Sequence, residues 1–288
     1  MRGRNYLKTT LLLAALSGVL VLAGSAFGSR GMTIALVFAA LMNLGAYFWS
    51  DKLALRASRA RPVSEAEAPQ LYRIVRRIAE SANIPLPRIH VTPSPQPNAF
   101  ATGRNPDHAA VAVTDGLLRI LDERELEAVL AHELAHVLNR DILISSVAAT
   151  IGAAITYLAH FALFFGGGDD DDGGNPFLAL ITFLLAPLAA MIIQMAVSRS
   201  REFGADATGA ELIHDPMALA RALAKIEAYS RGTPPATTSP ATSHLFISNP
   251  FKAGQVATGM ARLFSTHPPT AERIARLEAM AYGRPLRG

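Results

Sequence analysis

Four stretches of this chain carry no Asp, Glu, Lys or Arg: residues 9–27 (TTLLLAALSGVLVLAGSAF), 31–50 (GMTIALVFAALMNLGAYFWS), 142–165 and 177–197 (FLALITFLLAPLAAMIIQMAV). Each is close to the ~20 residues a helix needs to cross about 30 Å of hydrocarbon. Each is also apolar around its whole circumference, unlike a helix that covers a soluble core with one face. The pattern predicts two transmembrane hairpins, 1–50 and 142–197, alternating with polar segments 51–141 and 198–288. Run 9–27 also has marks of a cleaved signal peptide, with Arg2, Arg4 and Lys8 ahead of it and small residues near Ala23 and Ala26. The second run follows so closely that a retained hairpin is the preferred expectation.

In the polar segments the apolar spacing shortens to the periods of amphipathic elements. SEAE at Ser64–Glu67 fits a capping box and predicts a helix to about residue 82, with Leu71, Ile74, Val75 and Ile78 on one face. RIHVT (88–92), NAFATG (98–103) and HAAVAVT (108–114) read as strands, the last two joined by the turn sequence RNPD. Asp122 and Glu125 mark the start of a helix with apolar positions Leu126, Val129, Leu130, Leu134, Val137 and Leu138. It is expected to run straight into 142–165. Asp215–Pro216 opens another helix to about 229, residues 231–243 are a Pro/Thr/Ser-rich loop, and TAERIARLEAMA is a final amphipathic helix.

Composition supports a membrane protein: of 288 residues 50% are hydrophobic and only 17% charged, and mean hydropathy is +0.25. A net charge of +4 invites a nucleic-acid partner, but the basic residues form no dense block and one Trp with six Tyr offers little stacking surface. No nucleic acid is expected. Instead the charges flank the apolar runs: Arg2, Arg4 and Lys8 before the first, Lys52, Arg56, Arg59 and Arg61 after the second, Arg140 before the third, Arg199 and Arg201 after the fourth. The intervening loops carry Arg30 alone and GGGDDDDGGNP, where Asp169–Asp172 form a solvated loop tip. The positive-inside rule then puts both termini and both polar segments in the cytoplasm. Without cysteine, neither disulfides nor thiolate metal sites are possible.

The chemistry sits in HELAH, residues 132–136. His132 and His136 are four apart, so on a helix both imidazoles can meet one Zn²⁺, with Glu133 as general base toward a metal-activated water. A third ligand is needed. Position 139 is Asn and 142 is Ile, which excludes the extended three-histidine pattern. SRSREFGADATGA (198–210) offers Glu202, with Asp206 one turn later to hold a ligand histidine. Read without HELAH, the same stretch is only a charged helix end.

With HELAH, SRSREFGAD, PNAFATG and STHPPTAERI in this order around four apolar runs, the chain resembles the HtpX family of membrane-bound zinc metalloproteases, relatives of the CAAX prenyl-protein proteases. The resemblance implies an α+β membrane protein: four transmembrane helices and a mainly helical zincin-type catalytic domain with a small β-sheet. It implies one Zn²⁺ per chain on His132, His136 and Glu202, and Glu133 as the catalytic residue. It implies a multi-pass enzyme of the cell inner membrane that cleaves damaged membrane proteins at the cytoplasmic face, in quality control and stress response. His267 and Arg273 are candidates for stabilising the transition state, or for pinning the last helix onto the catalytic domain. Two competing expectations are an intramembrane protease, which the charges of DERELEA oppose, and a non-catalytic membrane scaffold with a structural metal site.

A broad-specificity protease must hold its polypeptide substrate by main-chain hydrogen bonds. AAVAVT (109–114), through Ala109, Val111 and Val113, is expected to be the edge strand that does so, with Asn98 lining the same cleft. A fully paired inner strand is the alternative.

Overall fold

The computed structural model describes residues 10, 11, 14, 17, 18, 28–139, 141, 199–232 and 268–283. The expected runs 142–165 and 177–197, nearly all of 9–27, the loop 233–243 and His267 lie outside the described residues. Run 31–50 falls in helix α1 (Gly28–Ala57), on which Ile34, Leu41 and Trp49 are 70%, 63% and 56% exposed. Among the described residues no helix is long and apolar enough to cross a membrane. The end of α1 is tied to the rest of the chain. Leu55 is buried against Phe100, Ala110 and Ala112, Asp51 pairs with Arg88 at 2.7 Å, and Arg104 lies 5.5 Å from the Phe48 ring centroid.

Strand β1 (Arg61–Pro62) leads to helix α2 (Pro69–Ser81). The Ser64–Glu67 pairing expected from SEAE is present, with the Ser64 N–H donating to Glu67 Oε2 at 2.7 Å. It closes an isolated turn, however, and the helix starts five residues later. Pro69 is the cause: lacking an N–H and fixed in φ, it is suited to the first turn of a helix and not to its interior. The expected face of α2 is buried, with Ile74 and Val75 fully covered.

Strands β2 (Arg88–Thr92), β3 (Ala99–Thr102) and β4 (Ala110–Thr114) complete a four-stranded sheet in the order β1-β2-β4-β3. β4 pairs parallel with β2 (Ile89 beside Val111) and antiparallel with β3 (Ala101 beside Val111). This corrects the expectation for 109–114. That stretch is an inner strand paired on both sides, and the edge is β3. The physical reason is burial of both faces. Val111 and Val113 point into the main core, while Ala110 and Ala112 pack under Leu55 and Phe100. A strand with no polar alternation suits the middle of a sheet.

Helix α3 (Asp115–Ile120) links the sheet to α4 (Glu123–Leu138). The capping box is complete: Asp122 Oδ1 accepts the Glu125 N–H at 2.9 Å and Glu125 Oε2 accepts the Asp122 N–H at 3.0 Å. The first two turns carry their charges to solvent-facing partners, Glu125 to Lys225 at 2.7 Å and Glu127 to Arg77 at 2.8 Å. α4 is the centre of the domain, with Leu130 and Leu134 fully buried among side chains of α2, β4 and α6. Truncating either to Ala would cost about 2–5 kcal/mol. The helix does not run on as expected. It ends at Leu138, and the Asn139 N–H donates to the carbonyl oxygens of Ala135 and Val137.

Three further helices close over α4: α5 (Arg199–Ile213), α6 (Pro216–Gly232) and α7 (Thr270–Ala281). Asp215 caps α6 as expected, its Oδ1 accepting the Ala218 N–H at 2.9 Å. α7 buries Arg273 and Leu277, one turn apart, against α5 and α6.

Candidate metal centre

α4 places His132 and His136 on one face, a turn apart, with ring centroids 4.8 Å apart and planes at 85°. α5 brings Glu202 against them because the two backbones meet closely. A Cβ at Gly209 would lie 2.7 Å from His132 N and 2.9 Å from its Cα. Only glycine allows that approach.

The carboxylate of Glu202 then divides between the two rings. Its Oε2 is 3.7 Å from His132 Nε2 and its Oε1 is 3.6 Å from His136 Nε2. Ligand atoms of the three residues all lie within 4.8 Å of one another. Tetrahedral zinc with bonds of about 2.0–2.1 Å would set ligand atoms about 3.3 Å apart, so each Glu202 oxygen must close on its Nε2 by a few tenths of an ångström, and the widest pair of ligand atoms by up to about 1.5 Å, for this donor set to hold the ion. Two imidazoles and one carboxylate are also borderline donors of the type zinc prefers.

The other ring nitrogens point outward to acids. His132 Nδ1 is 2.9 Å from Asp206 Oδ1. Asp206 is in turn gripped by Arg273, Nε to Oδ2 at 2.9 Å and Nη2 to Oδ1 at 2.6 Å. Burial would raise the pKa of Asp206, but the Arg273 guanidinium, helped by His132, holds the carboxyl well below the usual range. His136 Nδ1 is 3.3 Å from Asp141 Oδ2. Burial opposes a charge on His136, yet Glu202, then Asp141 and Glu133, push its pKa up to about 9. Arg201, at the start of α5, is buried nearby. Burial holds its guanidinium below the usual value against the pull of Asp141 and Glu202, and its Nη1 has no hydrogen-bond partner.

Glu133 lines the same space from α4, and its Oε2 accepts the Ala101 N–H of β3 at 3.1 Å. β3, the true edge strand, thus flanks the centre. Ala109, Val111 and Val113 do not: Val111 and Val113 are buried in the inner strand, and Ala109 is buried just ahead of it. Asn98 is buried just ahead of β3, its N–H donating to Thr114 Oγ1 at 2.8 Å and its carbonyl accepting the Thr114 N–H at 2.9 Å. The structure thus gathers His132, Glu133, His136, Glu202, Asp206 and Arg273. Sequence reasoning missed Asp141, Arg201 and Gly209. The only signal for Asp141 is its place as the last charge before the apolar run 142–165.

Residues 65–281 match Peptidase family M48. The Protease HtpX homologs of Burkholderia mallei (strain SAVP1) and Burkholderia pseudomallei (strain K96243) are each 53% identical to this chain over 281 residues, covering 96% of it and 97% of the relative. The fold is similar to that in the crystal structure of S. mikatae Ste24p, with a TM-score of 0.54 at 20% identity; the alignment covers 96% of this chain and 66% of that one. With a family match across most of its length and more than half its residues shared nearly end to end with such proteases, the chain belongs to peptidase family M48 and is a metalloprotease of the HtpX type.

Proposed function

We propose that the protein is a zinc-dependent endopeptidase of the cell inner membrane, with its active site and both termini in the cytoplasm, that cleaves misfolded or damaged membrane proteins. The observation that carries the chemistry is the convergence of His132, His136 and Glu202 beside Glu133. Structural zinc sites are closed by four protein ligands, whereas three leave a position for water or substrate, which disfavours a scaffold with a structural ion. Zinc held there would supply Lewis acidity, making water nucleophilic near neutral pH and polarising a carbonyl.

The remaining work falls to the chain. With Oε2 of Glu133 fixed by the Ala101 N–H, Oε1 takes a proton from the attacking water and returns it to the leaving nitrogen. Such acid–base transfer is worth about 10²–10⁴-fold in rate. Asp206 orients His132, and Arg273 keeps Asp206 ionised while pinning α7 onto α5. The substrate lies along β3. Antiparallel pairing alternates, so Asn98, Phe100 and Thr102 bond to β4 while the main-chain groups of Ala99 and Ala101 face the other way, toward the cleft. Membrane attachment is supported by the charge-free runs and by the exposed apolar side chains of α1.

The test is zinc-dependent cleavage of an unfolded protein by the detergent-solubilised enzyme. His132→Ala, His136→Ala and Glu202→Ala should each lose zinc and activity together. Glu133→Gln should lose activity and keep its zinc. Full zinc occupancy and turnover in Glu202→Ala would overturn the ligand assignment. Captured membrane proteins on Glu133→Gln in intact membranes would identify the substrate class, and capture of soluble proteins alone would contradict it.

A further inference from the structure

We propose that Asp141 is a positioning residue for His136, with Arg201 as its counter-cation, so that the metal centre is held by two carboxylate–guanidinium braces. The inference rests on His132, His136 and Glu202 being metal ligands.

The geometry of the two histidines is parallel. Each turns Nε2 to one oxygen of Glu202, at 3.7 and 3.6 Å, and Nδ1 to a buried aspartate, at 2.9 and 3.3 Å. An acceptor on Nδ1 fixes the tautomer that leaves the Nε2 lone pair for a metal and holds the ring in plane with it. Asp206 does this for His132. Asp141 is placed to do it for His136.

The chain makes a special provision for that contact. On an uninterrupted helix, a residue five positions after His136 would sit about 140° around the axis, at 100° per residue, away from the ring. α4 instead stops at Leu138, and Asn139 closes it by donating back to Ala135 and Val137. The interruption lets the Asp141 carboxylate return to His136.

A carboxylate only 3% exposed needs a positive partner as well as a hydrogen-bond donor. For Asp206 that partner is Arg273. For Asp141 the cation at hand is Arg201, which is 6% exposed and attracted to it electrostatically, though beyond ion-pair distance in this structure, and which carries a buried donor, Nη1, with no hydrogen-bond partner. Such orphan donors are rare in folded proteins. Here the orphan sits on the residue directly before the ligand Glu202.

The second brace differs from the first in what it joins. Arg273 and Asp206 tie α7 to α5. Asp141 immediately precedes the apolar run 142–165, and Arg201 follows the run 177–197 within a few residues. Residues flanking the apolar segment on both sides, Asp141 and Arg201, therefore stand beside the metal centre, next to His136 and Glu202.

The experiment uses the full-length protein in detergent, loaded with zinc or with cobalt(II) as a spectroscopic probe. Asp141→Asn should weaken zinc binding about 10–100-fold, the range for partners of ligand histidines, and shift the cobalt ligand-field bands, both read on folded protein well below its melting temperature. Asp141→Glu should recover part of the affinity. If Asp141→Asn binds zinc within twofold of wild type with an unchanged cobalt spectrum, the positioning role is overturned. Arg201→Gln should weaken binding in the wild-type background and far less beside Asp141→Asn, whereas strictly additive losses would overturn the pairing. Should Asp141 variants fail to fold, Arg201→Lys decides: it keeps the charge and should hold wild-type affinity within a few-fold, while a loss as large as that of Arg201→Gln contradicts the counter-cation role. A wild-type protein that takes up neither zinc nor cobalt would overturn the metal reading itself, an outcome distinct from failure of the brace alone.

Discussion

Replacing Gly209 by Ala should weaken zinc binding with at most a modest loss of stability. The added Cβ would lie 2.7 Å from His132 N and 2.9 Å from His132 Cα. Both are backbone atoms and cannot swing aside, so α5 must retreat by roughly 0.5–1 Å to restore ordinary contact. Glu202 rides on the same helix, and its oxygens stand 3.6 and 3.7 Å from the two Nε2 atoms. Metal distances tolerate only about ±0.2 Å, so the retreat opens the site beyond what the ion can bridge. Helix propensity works in the opposite direction. Ala is better than Gly inside a helix by about 0.8–1 kcal/mol, against about 1–3 kcal/mol for overpacking. The net loss in the metal-free protein should be about 0–2 kcal/mol.

Gly204, on the same helix, has nothing within 4 Å of its Cβ position, so Gly204→Ala gains the propensity without the clash. The assay is zinc affinity by chelator competition together with the melting temperature in a chelator. Gly209→Ala should lose zinc affinity by at least tenfold, while Gly204→Ala should keep it and melt at or above wild type. A Gly209→Ala protein with wild-type zinc affinity would refute the claim that this contact sets the ligand spacing.

Arg273→Met should destabilise the protein by about 3–5 kcal/mol, because it strands the buried Asp206 carboxylate, and Asp206→Asn should weaken zinc binding about 10–100-fold; denaturant melts and zinc titrations measure the two effects. In the metal-free protein the His136 pKa, raised to about 9 from an ordinary 6.5, contributes stability that is complete below about pH 6.5 and lost as pH rises through about 9. Zinc must displace that proton, so its affinity should climb with pH up to about 9, and melting temperatures with chelator and with zinc at pH 6, 7.5 and 9 should diverge. Ala99→Pro, on the face of β3 turned from β4, should fold, keep its zinc and raise KM, whereas Val111→Pro in the inner strand should not fold; wild-type KM in a folded Ala99→Pro enzyme would remove β3 as the substrate strand. Cysteines introduced singly at Ser64, Asp170 and Ser239 should label from the cytoplasm at the first and last and from the opposite side at the second, and cytoplasmic labelling at Asp170 would invert the hairpin.

The sequence by itself determined what local rules control. The four-residue spacing in HELAH puts both imidazoles on one helical face wherever that helix packs, and the same spacing sets Glu202 and Asp206 together. The capping box at Asp122–Glu125 and the Asp215–Pro216 start are nearest-neighbour hydrogen bonding, so both helices begin where their residues say. The three long strands were legible as strands for the same reason, from short runs of β-branched and apolar residues and flanking turns. Their order was not. Which strand is the edge depends on β4 being claimed by β2 on one side and β3 on the other, and the burial that rewards this comes from Leu55 of α1 and the side chains of α4, distant in sequence. Reading AAVAVT as an edge took small residues for openness, when they mark a strand covered on both faces. The start of α2 moved because one proline outranked a satisfied capping pair. Asp141 escaped notice because its contact requires a break in the helix at Asn139, and helical geometry alone sends it elsewhere. Arg273 was legible as a candidate for pinning the last helix onto the catalytic domain, but its partner was not: Asp206 lies 67 residues earlier, and only the docking of α7 on α5 brings a buried cation to the acid behind His132. Ligand identity is local chemistry, while the spacing and support of those ligands are properties of helix–helix approach, which the tertiary structure decides through residues as featureless in sequence as Gly209.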